Sequence, residues 1–167
     1  PDSYVSVVVA EYDGIPETEQ GLAGMSTGGG YSLTYDNRSD DTPLQTVRKA
    51  RDGTVPSHAV IKTAPQRLKW RIYIDRAGDR TVDVSYSFQG KTADGKITCL
   101  VPGTKITHTV EPTGKTVGEP NSNWVIDRFL SHRLGTIRFP KEGIYELEFE
   151  IAPGKNSEIQ FQWFWVK

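Results

Sequence analysis

Three histidines, His58, His108 and His132, and one cysteine, Cys99, are the residues best suited to nucleophilic or metal chemistry in this chain. A nucleophilic triad needs a serine or cysteine beside a histidine and an acid. None of the histidines stands in a recognisable motif, and no Gly-x-Ser-x-Gly elbow occurs. Cys99 falls in the apolar run ITCLV, where a buried thiol is the plain expectation. No two histidines are close enough in sequence to read as a zinc site. Two convergent carboxylates could do acid–base work on a glycosidic bond. Glu146, Glu148 and Glu150 instead alternate along one stretch and share one outward face, which reads as a solvated surface.

Hard oxygen ligands are better represented. Asp36, Asn37, Asp40 and Asp41 cluster in DNRSDD, a composition that suits Ca²⁺ on a loop, although EF-hand spacing is absent. A structural calcium through Asp36, Asp40 and Asp41 and a simple solvated turn both fit, and no other cofactor is expected. Asn37-Arg38-Ser39 is also a formal glycosylation sequon.

The aromatic residues say more. Trp124 follows the loop GEPNSN and opens the stretch WVIDRFL. A ring at a loop–strand junction can stack on the apolar C–H face of a sugar. Asn121 and Asn123 beside it can both donate to and accept from hydroxyls. Arg128 and His132 are close enough in sequence to complete a rim, with Asp127 and Arg133 nearby. The alternative is that Trp124 caps the end of a core. Tyr31, Tyr35 and Arg38, in GGGYSLTYDNR, form a second candidate of the same kind.

These residues must be held by strands. Successive strand side chains point to opposite faces, and period-two alternation dominates the chain. In residues 67–74 (RLKWRIYI), Leu68, Trp70, Ile72 and Ile74 share one face. In residues 81–88, Val82, Val84, Tyr86 and Phe88 do the same. In residues 144–151, Tyr145, Leu147, Phe149 and Ile151 alternate with the three glutamates. In residues 159–165, Ile159, Phe161, Trp163 and Trp165 are expected to face inward. Weaker strands are expected over residues 4–12, 58–63, 96–101, 105–110, 124–130 and 135–139. Turn signals such as Gly78-Asp79, Asp94-Gly95 and Pro153-Gly154 separate them. Many short strands at this spacing mean an antiparallel two-sheet β-sandwich or a barrel. Residues 42–52 are read differently, as one or two helical turns with Thr42 as N-cap and Pro43 as first residue. Residues 18–30 read as a Gly-rich loop or linker. Residues 1–17 read as the closing strand of a preceding domain or the first strand of the sandwich, and residues 31–167 as the sandwich itself.

Composition agrees with one such domain. The chain has 167 residues, with 20 Lys+Arg against 21 Asp+Glu and a formal net charge of -1. Near-balance argues against a dedicated nucleic-acid binder and against a polybasic membrane arm. No apolar run approaches the ~18 residues of a membrane-spanning helix. One cysteine allows no internal disulfide and leaves the redox compartment unread.

The run AVIKTAPQRLKWRIYIDRAGDRTVDVSYSFQG, with Trp70, Ala77-Gly78, Val82, Val84 and Tyr86, resembles carbohydrate-binding modules of the galactose-binding-like jelly-roll class. The closing run IRFPKEGIYELEFEIAPGKNSEIQFQWFWV is similar to the last two strands of the same class. Asp2 and the residues to Gly14 (DSYVSVVVAEYDG) resemble the strand that closes the sandwich of bacterial α-L-fucosidases. The resemblance implies a jelly roll that binds glycan at its end loops as a noncatalytic accessory of a secreted or periplasmic bacterial glycoside hydrolase. Its partners would be a glycan and the catalytic domain of the parent enzyme. Such modules often contact ligand through an Asn just before the final strand, where this chain has Asn156. Two readings follow: a carbohydrate-binding module, or a structural sandwich that packs on a catalytic domain without sugar. Exposure of Trp124 and Tyr31 discriminates them.

Overall fold

Alternation places one large apolar face on nearly every strand, and such faces reach burial only by packing against another sheet. A computed structural model describes residues 21–48, 56–91, 93–101, 103–117, 125–155 and 157–167. In chain order its strands are β1 (Tyr31–Thr34), β2 (Gln45–Val47), β3 (His58–Lys62), β4 (Gln66–Ile74), β5 (Gly78–Phe88) and β6 (Lys96–Val101). They continue with β7 (Thr104–Thr109), β8 (Lys115–Val117), β9 (Val125–Asp127), β10 (Leu130–Phe139), β11 (Gly143–Ala152) and β12 (Glu158–Val166). The described residues contain no helix.

Two antiparallel sheets make the sandwich. The six-stranded sheet runs β10-β5-β12-β3-β2. β1 joins it along the same edge of β12 as β3, pairing with residues 163–166 where β3 pairs with residues 158–161. The four-stranded sheet runs β4-β11-β6-β7, and β8 and β9 form a separate hairpin. The fold is an all-β jelly-roll sandwich: the alternation implied two packed sheets or a barrel, and the family resemblance implied the jelly roll.

The core lies between the sheets. Leu68, Trp70, Ile72 and Ile74 from β4 meet Val82, Val84, Tyr86 and Phe88 from β5, all at 0% exposure. Leu147, Phe149, Ile151, Ile159 and Phe161 are equally buried, as expected from their phase. Trp70 sits at the centre, edge-on to Phe149 and Phe164 with ring centroids 5.7 and 5.6 Å away. Its indole N–H donates to the Thr34 carbonyl at 2.9 Å and to Asn37 Oδ1 at 3.0 Å, so even its polar edge is paired. On the outer face of the four-stranded sheet the three glutamates are neutralised across β4, with Arg67 reaching Glu148 and Glu150 and Lys69 reaching Glu146 and Glu148. This is the solvated face that the alternation implied.

Two expectations are corrected. Residues 45–47, read as part of a helical stretch, form strand β2 on the edge of β3. The pairing offered by β3 outweighs a helix signal of two turns, which is marginal without tertiary support. Trp163 and Trp165, read as inward, face out, because β12 carries a β-bulge between Phe161 and Trp163. One extra residue resets the phase, so Phe164 and Val166 enter the core at 0% exposure in place of the tryptophans.

Residues 21–30 dock on the sandwich. Ala23 donates its N–H to the Arg71 carbonyl at 2.8 Å and is buried, and Met25 bridges Tyr31. The tight turn that follows ends at Gly30, with φ of 78°. A Cβ there would lie 2.7 Å from the Val166 carbonyl oxygen, so no larger residue fits.

Candidate functional site

The bulge puts two indoles on one surface. Trp163 and Trp165 are partly exposed on the outer face of the six-stranded sheet. Two residues apart on one strand, their Cα atoms are separated by about 7 Å along it. In the sheet, Trp163 stands between Ser85 of β5 and Thr34 of β1, and Trp165 between Asp83 and Ser32. Gln162, the bulge residue, shares this face and is joined to Ser85, whose hydroxyl donates to its Oε1 at 2.8 Å. Asp83 accepts from Arg133 of β10 and lies 3.6 Å from Lys167 Nζ. Two apolar rings are thus bordered by hydroxyls, an amide, a carboxylate and two cations.

Each ring opens onto a depression. One of about 330 Å³ is lined by Trp163, Gln162, Tyr35, Asp36 and Ser57. The other, about 540 Å³, is lined by Trp165, Gly30, Asp75, Arg80 and Lys167. The Gly30 turn is what lets the backbone lie against the Trp165 ring, since a Cβ on residue 30 would come within 3.3 Å of that ring.

The other end of this face is covered by Thr113, Asp127 and Phe129, which lie between β7 and β10 in sequence. Thr113 Oγ1 accepts from the Phe88 N–H at 3.0 Å and lies 3.3 Å from Ser87 Oγ. Gln160 donates to Asp127 of β9 at 2.7 Å, and Phe129 packs on His58 with ring centroids 5.2 Å apart. This explains why Ser87, an outward residue of β5, is 1% exposed. A depression of about 460 Å³ lies beside this cover, lined by Lys62, Ser87, Gln89, Glu158 and Gln160. Its polar groups are already committed to one another or to the backbone: Gln89 donates to the Gly114 carbonyl at 2.7 Å, and Lys62 faces Glu158 at 3.7 Å.

Comparison with solved structures settles the fold. The chain is similar to the C-terminal CBM6 of LamC, a marine laminarinase from Zobellia galactanivorans. The TM-score is 0.58 at 11% identity, over 83% of this chain and 99% of that one. The chain shares the jelly-roll fold of this module. Further modules of this kind match it. The insecticidal crystal protein Cry2Aa matches with a TM-score of 0.62 at 13% identity, over 87% of this chain but 22% of its own. An α-L-fucosidase from Vibrio sp. strain EJY3 matches with a TM-score of 0.52 at 15% identity, over 88% of this chain and 24% of its own. This jelly roll therefore spans about a fifth to a quarter of those two longer proteins. Neither a family model nor a curated protein sequence matches it.

Within this jelly roll the residues singled out by the sequence fall into three groups. Asn121, Asn123, Trp124 and Asn156 lie outside the described residues. Arg128 is exposed and follows β9, its N–H donating to the Gly114 carbonyl at 3.1 Å. Asp36 and Asp41 are exposed as well.

The third group is structural. Tyr31 is 4% exposed and its hydroxyl donates to the Tyr73 carbonyl, so the ring is core and not a sugar platform. Tyr35 is also buried. Arg38 is spent on the loop that carries it, donating to the Tyr35 carbonyl at 2.9 Å, to the Thr42 carbonyl at 3.0 Å and to Asp40 at 2.8 Å. Asp40 accepts in turn from the N–H groups of Lys69 at 2.6 Å and Thr42 at 2.9 Å. Burial alone would raise the Asp40 carboxyl, but these N–H donors and Arg38 hold it below the usual carboxylate range. An aspartate so occupied braces a loop and has little left for a cation. No group of three or more acidic, histidine or cysteine ligands gathers among the described residues. Asn37 is likewise engaged, its amide donating to the Ser32 carbonyl at 2.8 Å. His132 points between the sheets and stacks on Tyr86, away from the surface where a rim would need it.

Sequence reasoning missed Trp163, Trp165 and Gln162. The run FQWFWV carries one signal that could have found them. Strict alternation would bury two large indoles and expose Phe164, whereas a one-residue slip after Phe161 buries the phenylalanine and the valine and leaves the indoles out.

Proposed function

We propose that this chain is a noncatalytic glycan-binding module, and that it holds sugar on the outer face of the six-stranded sheet. The observation that carries the reading is the pair of outward indoles, Trp163 and Trp165, set in a polar border. A pyranose ring has an apolar C–H face that stacks on an aromatic ring, and its equatorial hydroxyls need groups that donate and accept. Gln162, Asp83, Arg133 and Lys167 supply both kinds around the rings, with the buried Ser85 hydroxyl orienting the Gln162 amide. Asn121, Asn123, Trp124 and Arg128 stay in the proposed ligand set on their residue types alone, a ring to stack and polar groups to meet hydroxyls. Tyr31, Arg38 and His132 drop out of the ligand set.

The parent protein in this reading is a bacterial glycoside hydrolase of the α-L-fucosidase-like kind, working in the periplasm or outside the cell, with the module tethered beside its catalytic domain. Supporting it are the likeness to modules of glycan-degrading enzymes and to one quarter of a fucosidase. Stacking and hydrogen bonds to well-hydrated hydroxyls leave a modest net gain each. The module's benefit is then a raised local concentration of substrate at the tethered catalytic domain.

A glycan array probed with the chain, with Trp163→Ala/Trp165→Ala and with Trp124→Ala tests this. The reading expects a defined set of glycans bound by the native chain and lost in the double variant. A second reading, a sandwich that packs on a catalytic domain without sugar, is favoured by one observation. Tyr73 and Ile144 stand directly opposite one another on the other sheet, 47% and 44% exposed. An array without hits would support that reading instead.

A further inference from the structure

The two sheets meet along an open seam where the edge strands β7 and β10 face each other. At one point the backbone of Gly135 approaches Ile106 so closely that a Cβ would lie 3.0 Å from Ile106 Cγ2. Next to this contact His108 of β7 and His132 of β10 come together, ring centroids 5.3 Å apart. They are 24 residues apart in sequence and form no motif. His132 lies flat on Tyr86 of β5, at 4.6 Å and 15° from parallel.

The hydrogen bonds around Tyr86 suit neutral rings. The Glu111 N–H donates to the Tyr86 hydroxyl at 3.0 Å, and that hydroxyl lies 3.1 Å from His108 Nε2. The phenol accepts from Glu111, and a neutral His108 with its proton on Nδ1 offers Nε2 as the acceptor for the phenolic proton. A protonated His108 would turn Nε2 into a donor and strand the phenolic proton. His132 Nε2 is buried with no partner, so a proton there would be a buried donor without an acceptor. The groups facing the pair are Tyr86 from β5 and Glu111 from the segment after β7. Burial holds both imidazoles below their ordinary range, aided at His108 by the neighbouring His132, and outweighs Glu111, the one charge favouring protonation.

We propose that His108 and His132 form an acid-sensitive latch, holding β7 against β10 while both rings are neutral and releasing this seam when they take up protons. The latch stands independently of the glycan reading. It reaches that surface all the same, because β10 also carries Arg133, the partner of Asp83 beside Trp165. A group that binds protons more weakly folded than unfolded contributes stability above its unfolded pKa, about 6.5 for histidine, and loses it as pH falls below that value.

The test is the urea midpoint at pH 7.5 and pH 5.5, for the native chain and for His108→Gln/His132→Phe. Gln keeps an acceptor for Tyr86, and Phe keeps the stack. The native midpoint should fall on acidification and the double variant should lose more than half of that fall. His58→Gln, a buried histidine bonded to the Pro56 carbonyl outside the seam, should keep the whole fall. If the double variant does not fold, an NMR titration of the native chain decides. The ring signals of His108 and His132 should titrate below the ordinary histidine range, and the β7 and β10 amide signals should move along the same curve. An equal fall in the double variant, or rings that titrate in the ordinary range with those amides unmoved, would overturn the latch.

Discussion

Phe164 stacks almost face to face on Phe149 across the sandwich, ring centroids 3.8 Å apart and planes 16° from parallel. Phe149 is held by the strict alternation of β11, and Phe164 reaches it only because the bulge at Gln162 moves the phase of β12 by one residue. The same shift turns Trp163 and Trp165 outward. Core packing and the exposed aromatic face are two results of one irregularity.

Removing Phe164 should therefore be costly and removing its neighbours cheap. Phe164→Ala is expected to lose about 3–5 kcal/mol, the usual range for truncating a buried aromatic. Trp163→Ala and Trp165→Ala should each lose about 1 kcal/mol or less, as for surface substitutions with little packing. Urea denaturation measures all three. Equal losses would mean that the indoles are core residues.

Deleting Gln162 removes the bulge and leaves β12 in unbroken alternation. Both indoles would then be driven into space shaped for Phe164 and Val166. Overpacking of this size is not absorbed by a close-packed core. The deletion variant should lack a cooperative thermal transition. A native-like transition would show that the bulge does not set the phase.

Asp40 joins β4 to the loop after β1 by accepting from the N–H groups of Lys69 and Thr42 and from Arg38. Asp40→Ala leaves those donors without an acceptor and should cost about 1–3 kcal/mol. Its carboxyl is held below the usual value of 3.8, so its stabilisation is complete above that pH and is lost as pH falls below it. The acid limb of the native stability curve should shrink in Asp40→Asn. Millimolar calcium should leave the melting temperature unchanged, since the Asp40 oxygens are taken. A calcium-dependent rise would restore the cluster with Asp36 and Asp41 as a metal site.

Cys99 is fully buried in β6, and burial pushes its thiol up to about 12. Reactivity follows the thiolate. A thiol reagent at pH 8 should therefore leave the folded chain unmodified and label it once urea unfolds it. Rapid labelling of the folded chain would contradict this burial.

Most of the fold was legible because period-two alternation and turn chemistry agree along β4, β5 and β11. Leu68 to Ile74 and Leu147 to Ile151 occupy the faces their spacing assigns. The errors have local physical causes. A bulge is a single extra residue with no composition signal of its own, and it inverted β12. The Thr42-Pro43 start suggested a helix at residues 45–47, where edge pairing with β3 won. Tyr31 and Arg38 looked like ligand groups because their types suit sugar, whereas Arg38 is taken up by Asp40 in its own loop and Tyr31 by the distant Tyr73 carbonyl, which only the folded sandwich brings to it. The His108–His132 contact was illegible for the same reason: only the closing of two sheets brings β7 to β10.

The most direct test of the central claim is affinity electrophoresis in native gels containing a soluble polysaccharide that the array identifies, run with the native chain and with Trp163→Ala/Trp165→Ala. The native chain should be retarded, and the folded double variant should run as it does without polysaccharide. Retardation of the double variant equal to that of the native chain would contradict the outer face of the six-stranded sheet as the glycan-binding surface.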